Sequence, residues 1–158
     1  MKRGGIYRHP GHLIRRAQQI AVSIFVDHCR RHGATSIQFG ILYTVRDNPG
    51  IDQISVANLV ALDRSNTGDV VGRLEEKGLL RRASGATDRR TKRLFLTDAG
   101  AALLETMAPD VESAQVRILS PLDERERQTF MELLGKLVDI NNTLSRAPLR
   151  PKVTRKTP

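Results

Sequence analysis

Two acidic residues, Asp52 and Asp63, constrain this chain more than any other feature. Each stands where a carboxylate can accept the free N–H groups that open a helix. Asp52 predicts a short helix from Gln53 to about Leu62, and Asp63 immediately predicts another, Arg64 to Lys77, closed by Gly78. The connection is too short for two antiparallel helices packed along their lengths. It suits two helices that cross steeply, as in a helix-turn-helix.

The flanking segments extend this motif on both sides. Upstream, Leu13, Ala17, Ile20, Ala21, Ile24, Phe25 and His28 recur at three- and four-residue steps, which predicts a helix over 12–32 ended by Gly33. Thr35-Ser-Ile-Gln38 is a capping box that opens a second helix, stopped at Asn48-Pro49-Gly50. Downstream the period changes. Leu79–Arg82 and Lys92–Leu96 read as short strands around the polar loop Ser84–Arg90, a hairpin that reaches outward. Thr97-Asp98 then caps a long helix, which Pro109 should kink or break. Asp123-x-x-Glu126 opens a last helix with Phe130, Leu133, Leu134, Leu137, Ile140, Asn141 and Leu144 on one stripe. Residues 1–10 read as an arm with turn chemistry. Residues 146–158, with three prolines and five basic residues, read as a disordered basic tail.

Charge points to the partner. The chain has 26 Lys and Arg against 17 Asp and Glu, a net charge of +9. Six basic residues and one acid fall within 81–93, on the hairpin. A basic patch is the footprint of a polyanion, and double-stranded DNA heads the candidates. Other classes are excluded or unsupported. No stretch approaches the ~20 apolar residues of a membrane helix, and no apolar segment follows the basic N-terminus as in a secretory signal. Cys29 is the single cysteine and metal-ligand spacings are absent. No Gly-rich phosphate loop, nucleophile elbow or paired carboxylates suggest an enzyme or a cofactor. The reading is a cytoplasmic, reduced, non-enzymatic protein.

The helix after the turn divides into two faces. With Asn66 at zero and about 100° per residue, Thr67, Val70, Val71 and Leu74 fall between about 40° and 140°. Asn66, Asp69, Arg73, Glu76 and Lys77 fall in a separate sector, from about 280° through zero to about 20°. The first is an inward face, the second a hydrogen-bonding face. In a major groove the N-terminal residues of such a helix meet base edges. Arg64, Ser65, Asn66, Thr67, Asp69 and Arg73 are the candidates: Asn pairs with adenine, Arg with guanine, and Asp69 can accept from cytosine or repel a wrong sequence. Arg89, Arg90 and Lys92 on the hairpin can clamp phosphates or enter a minor groove, with Asp88 orienting an arginine. Gly68 and Gly72 cost the helix roughly 1 kcal/mol each against Ala.

Taken together, Asp63-Arg-Ser-Asn-Thr67, Arg73-Leu-Glu-Glu-Lys-Gly-Leu-Leu-Arg-Arg82, Thr87-Asp-Arg-Arg90 and Leu94-Phe-Leu-Thr-Asp-Ala-Gly100 resemble the MarR family of bacterial transcriptional regulators over about residues 12–145. The resemblance implies a mainly α fold with a small β-hairpin wing: a winged helix-turn-helix carried on a helical dimerisation domain. Its parts would be 1–34 (arm and dimerisation helix), 35–97 (DNA-binding domain), 98–145 (dimerisation helices) and the tail. It implies a homodimer on a palindromic operator, usually a repressor, released by a small effector. The His9-Pro-Gly-His-Leu-Ile-Arg-Arg16 start and the Ala86-Thr-Asp-Arg-Arg90 wing look most like regulators responding to an aromatic acid or its CoA thioester. The wing departs from the common D-x-R-D-R-R pattern, since Gly85-Ala86-Thr87 replaces its first half. Dimerisation has separate support: the first and last two helices are amphipathic, and one winged unit cannot cover three apolar stripes.

Three further readings concern single residues or charge alone. His9, His12 and Arg16 can meet an effector carboxylate or phosphate, or else face solvent, DNA or a partner chain. Cys29 is either a small buried residue or, with its pKa lowered by Arg30, Arg31 and His32, an oxidation sensor. Non-specific nucleic-acid binding through charge is the remaining alternative.

Overall fold

The computed structural model describes residues 4–84 and 92–149. Its elements are α1 (Pro10–Cys29), α2 (Ser36–Asp47), β1 (Ile51–Asp52), α3 (Gln53–Leu59), α4 (Arg64–Glu76), β2 (Leu80–Ser84), β3 (Lys92–Leu96), α5 (Asp98–Leu119) and α6 (Glu124–Ile140), with short 3-10 turns at Gly5–Arg8, Arg30–His32 and Asn142–Leu144. The fold is mainly helical with one small antiparallel sheet.

Local chemistry sets the helix starts. Thr35 and Gln38 form the full capping box of α2, and Asp123 and Glu126 that of α6. Asp52, Asp63 and Thr97 each accept an N–H from the first turn of α3, α4 and α5. Gly33 takes the left-handed conformation, φ +63°, between α1 and α2.

Packing then joins these pieces. Ile41, Leu42 and Val45 of α2 meet Val56 of α3, Val71 and Leu74 of α4, Leu80 of β2, Leu94 of β3 and Leu104 of α5 in one buried core. A smaller cluster, Phe25, Cys29 and Met107, seats the end of α1 on α5, and Phe39 packs against both. The sheet order is β1-β3-β2, with Leu80 opposite Leu96 and Ser84 opposite Lys92. Gly100 makes the junction of α5 with the sheet possible. A Cβ there would lie 2.2 Å from the Leu79 carbonyl oxygen.

Five sequence expectations are corrected. β1 makes a third strand, because Gly50 turns with φ +78° and donates to the Leu94 carbonyl at 2.9 Å. α1 begins at Pro10 rather than His12, since a proline at the first position lacks only an N–H that has no helical partner. α3 stops at Leu59 rather than Leu62, as Ala61 adopts φ +53° and the Leu62 N–H turns back to the Ala57 carbonyl at 3.0 Å. α5 runs unbroken through Pro109. Pro109 and Glu105 are both exposed, so water can solvate the carbonyl that the missing N–H leaves free. Finally, the chain stays ordered through Leu149. The Asn142 side chain donates to the Leu149 carbonyl and accepts from its N–H, both at 2.8 Å, and Ala147 is buried. The remainder of the predicted tail, 150–158, lies outside the described residues.

α6 differs from every other long helix. None of its residues is buried, and Leu133, Leu137 and Ile140 are 62%, 48% and 69% exposed. Leu13, Ile14 and Ile20 of α1 are exposed as well.

Candidate nucleic-acid interface

The interface begins at Asp63. One carboxylate oxygen accepts the Asn66 N–H at 2.9 Å and the other accepts from the Asn66 side-chain amide. These bonds fix the first turn of α4 and hold Asn66 beside its own cap. A two-bond contact with adenine uses the carbonyl oxygen and one of the two amide hydrogens, so the other hydrogen can keep its bond to Asp63.

Burial sorts the remaining residues of α4. Ser65, Asn66, Asp69 and Arg73 are exposed on one face and Arg64 is exposed at the first position of the helix, while Thr67, Val71 and Leu74 are fully buried on the other face. Thr67 is therefore corrected. Its hydroxyl donates to the Asp63 carbonyl at 2.8 Å inside the core and cannot reach a base edge. Gly68 has a physical explanation, because a Cβ there would sit 3.2 Å from the Gln53 side-chain nitrogen where α3 crosses α4. Gly72 meets nothing, and the structure does not explain it.

The strands add cations that the sequence reading did not single out. Arg81 stacks on the Phe95 ring at 4.4 Å, and Arg93 donates to the Gly50 carbonyl at 3.0 Å. Arg82 pairs with Glu75 at 2.7 Å. Lys92 is exposed opposite Ser84, at the outer end of the described strands. Asp88, Arg89 and Arg90 lie outside the described residues. The alternation of β2 and β3 was the available signal for Arg81 and Arg93, but it does not reveal which ring or carbonyl each meets.

At the start of α1, the His12 ring meets the Tyr7 ring edge-on at 5.1 Å, and the Arg16 guanidinium lies 6.0 Å from the same ring. The His12 Nε2 atom is buried and has no hydrogen-bond partner among the described residues. His9 is exposed beside them.

Cys29 is corrected. It is fully buried, and burial pushes its thiol pKa up; the Asp110 carboxylate adds to the rise and Arg31 only partly offsets it. A sensing thiol needs the opposite shift and access to oxidant. The side chains beside Cys29 face Asp110 instead: His32 Nε2 lies 2.7 Å and Arg31 2.8 Å from its carboxylate. Among the described residues no cluster of His, Cys, Asp and Glu could hold a metal, and no helix is long and apolar enough to cross a membrane.

An exposed capped helix beside a basic hairpin is shared with known proteins. The model of the MarR family matches residues 34–92. The HTH-type transcriptional repressor NicR of Pseudomonas putida is 33% identical over 129 residues, 82% of each chain. This chain belongs to the MarR family.

Solved MarR-type structures superpose over nearly their full length. One is Bordetella bronchiseptica BpsR, from work on the regulation of its DNA binding by 6-hydroxynicotinic acid. It has a TM-score of 0.81 and 31% identity, covering 87% of this chain and 98% of its own. The transcriptional repressor CouR bound to a 23-mer DNA duplex has a TM-score of 0.80 and 27% identity, covering 87% and 98%. The small sheet with β2 and β3 corresponds to the wing of these winged-helix regulators. The chain is a transcriptional regulator rather than an enzyme.

Proposed function

We propose that this MarR-family regulator acts in the cytoplasm as a homodimeric repressor, reading an inverted-repeat operator and releasing it when an aromatic carboxylate or its CoA thioester binds. The observation that carries the DNA reading is the division of α4: a dry face locked in the core and an open face of Ser65, Asn66, Asp69 and Arg73, with Arg64 exposed at the helix start. Lys92, Arg89 and Arg90 would grip phosphates or the minor groove, with Asp88 orienting an arginine. The domain roles follow the same division: 35–97 reads DNA, while 1–34 and 98–145 pair the protomers. The uncovered stripe of α6 supports pairing. Twofold symmetry would set the two recognition helices about 34 Å apart, over half-sites about 10 bp centre to centre.

The effector reading draws support from the unpartnered His12 nitrogen beside Tyr7 and Arg16, with His9 adjacent. Arg binds carboxylate or phosphate through paired hydrogen bonds, and neutral His can donate to either. The aromatic acid named for BpsR agrees in class. Release is then a population shift toward a dimer whose recognition helices no longer match the half-site spacing; a 100-fold change in affinity needs ~2.7 kcal/mol of coupling.

Selection from random duplexes with the full chain tests the DNA reading. An inverted consensus bound tightly over random competitor at about 200 mM salt is the expected result, whereas equal binding to all sequences indicates a charge-driven binder. A thermal-shift screen of aromatic acids and their CoA esters tests the effector. His12→Ala and Arg16→Ala are expected to lose the response while operator binding remains.

A further inference from the structure

We infer that Glu75, Arg82 and Gln53 form a positioning clamp that sets the recognition helix and the wing at one fixed angle, so that both engage DNA together. Three elements meet at a single guanidinium. Arg82, on β2, donates from Nη1 to Glu75 Oε2 of α4 at 2.7 Å and from Nη2 toward Gln53 Oε1 of α3 at 3.4 Å. The Arg82 backbone N–H donates to the second Glu75 oxygen at 3.2 Å, so Glu75 grips both the strand and its side chain. Gln53 in turn lies across α4, its amide nitrogen 3.2 Å from where a Cβ of residue 68 would stand. Gly68 thus leaves room for the link despite its helix cost. Glu75 projects about 180° from Asn66 around the helix, away from the hydrogen-bonding sector. The clamp therefore sits behind the reading face. A planar, always-charged guanidinium suits this place because it can hold two acceptors in fixed directions at once. The consequence is cooperative: a wing that pivots on its strands pays an ordering cost before it can reach DNA with α4, and the clamp removes it in advance.

This inference rests on the DNA reading proposed above, and its test keeps the two apart. Duplexes selected by the full-length wild type supply the specific probe, and a random duplex supplies the control. Dissociation constants on both, with thermal melts, are measured for wild type, Glu75→Gln and Glu75→Asp. Charge alone predicts that Glu75→Gln, which removes an acid, binds all DNA more tightly, and that Glu75→Asp changes nothing. The clamp predicts that both variants weaken operator binding about tenfold with little change on random DNA. Glu75→Gln binding the operator as well as wild type or better overturns the clamp and leaves the DNA reading intact. Parallel losses on both duplexes with a falling melting temperature reduce the contact to a purely structural one and also overturn it. A wild type that selects no sequence overturns the DNA reading, and the clamp with it.

Discussion

The winged body and the last helix make opposite use of the same apolar residues. In the body, leucine, isoleucine and valine from α2, α3, α4, β2, β3 and α5 close on one another until nine side chains are buried within one chain. In α6 an equally regular stripe, Phe130 to Ile140, stays exposed among the described residues. The winged body buries its core within one molecule, while the proposed dimerisation arm leaves its stripe open. In the homodimer proposed above, one winged body could then move relative to the other without disturbing the core of either.

Breaking the arm should have the largest effect. Leu133→Asp with Leu137→Asp places charges where two leucines would be covered, each worth about 1.5–3 kcal/mol on burial. Sedimentation should then report a monomer and operator affinity should collapse; a variant that remains dimeric denies α6 its role. Next comes the junction of arm and body. Gly100→Ala drives a methyl into the Leu79 carbonyl and should cost about 3 kcal/mol, read by thermal or denaturant melts. Asn66→Ala sharpens the comparison on the DNA side. It should lose about 1–3 kcal/mol at one base position only, measured with a panel of single-base operator variants, because the helix keeps its Asp63 cap. Arg89→Ala should weaken all sequences alike and lower the salt slope by about 1.

The smallest effect is in pH. The hydrogen bond with His32 lowers the Asp110 pKa, Arg31 adds to this, and desolvation opposes both. The unfolded carboxyl therefore takes up its proton first as pH falls. Stability from this pair is fully present above the ordinary carboxylate value and is lost as pH drops through the lowered one. Acid melts of Asp110→Asn should show a shallower decline over that window.

Much of the body is legible from neighbours in sequence. Thr35 with Gln38, Asp52, Asp63 and Asp123 with Glu126 all act as the caps their spacing predicts, because a cap bond spans only three residues. The angular division of α4 also holds for Val71 and Leu74, which are buried, and for Asn66, Asp69 and Arg73, which are exposed. Thr67 is instructive in this respect. Its helical angle puts it inside, its residue type suggests a base contact, and burial decides for the angle. β1 was invisible because two residues carry no period, and it exists only through its pairing with β3. The Arg82 clamp was equally invisible, since its acceptors come from α3 and α4.

By itself, the amino-acid order determined where the capped helices α2 to α6 begin and where positive charge gathers. Both follow from interactions a few residues long or from simple counts. Tertiary structure alone decided that α5 survives Pro109, that Cys29 is shut away with a raised pKa, that Leu149 is tied back to Asn142, and that α6 is left bare. Each of these depends on which distant groups, or how much water, surround a residue, and sequence spacing does not encode those surroundings.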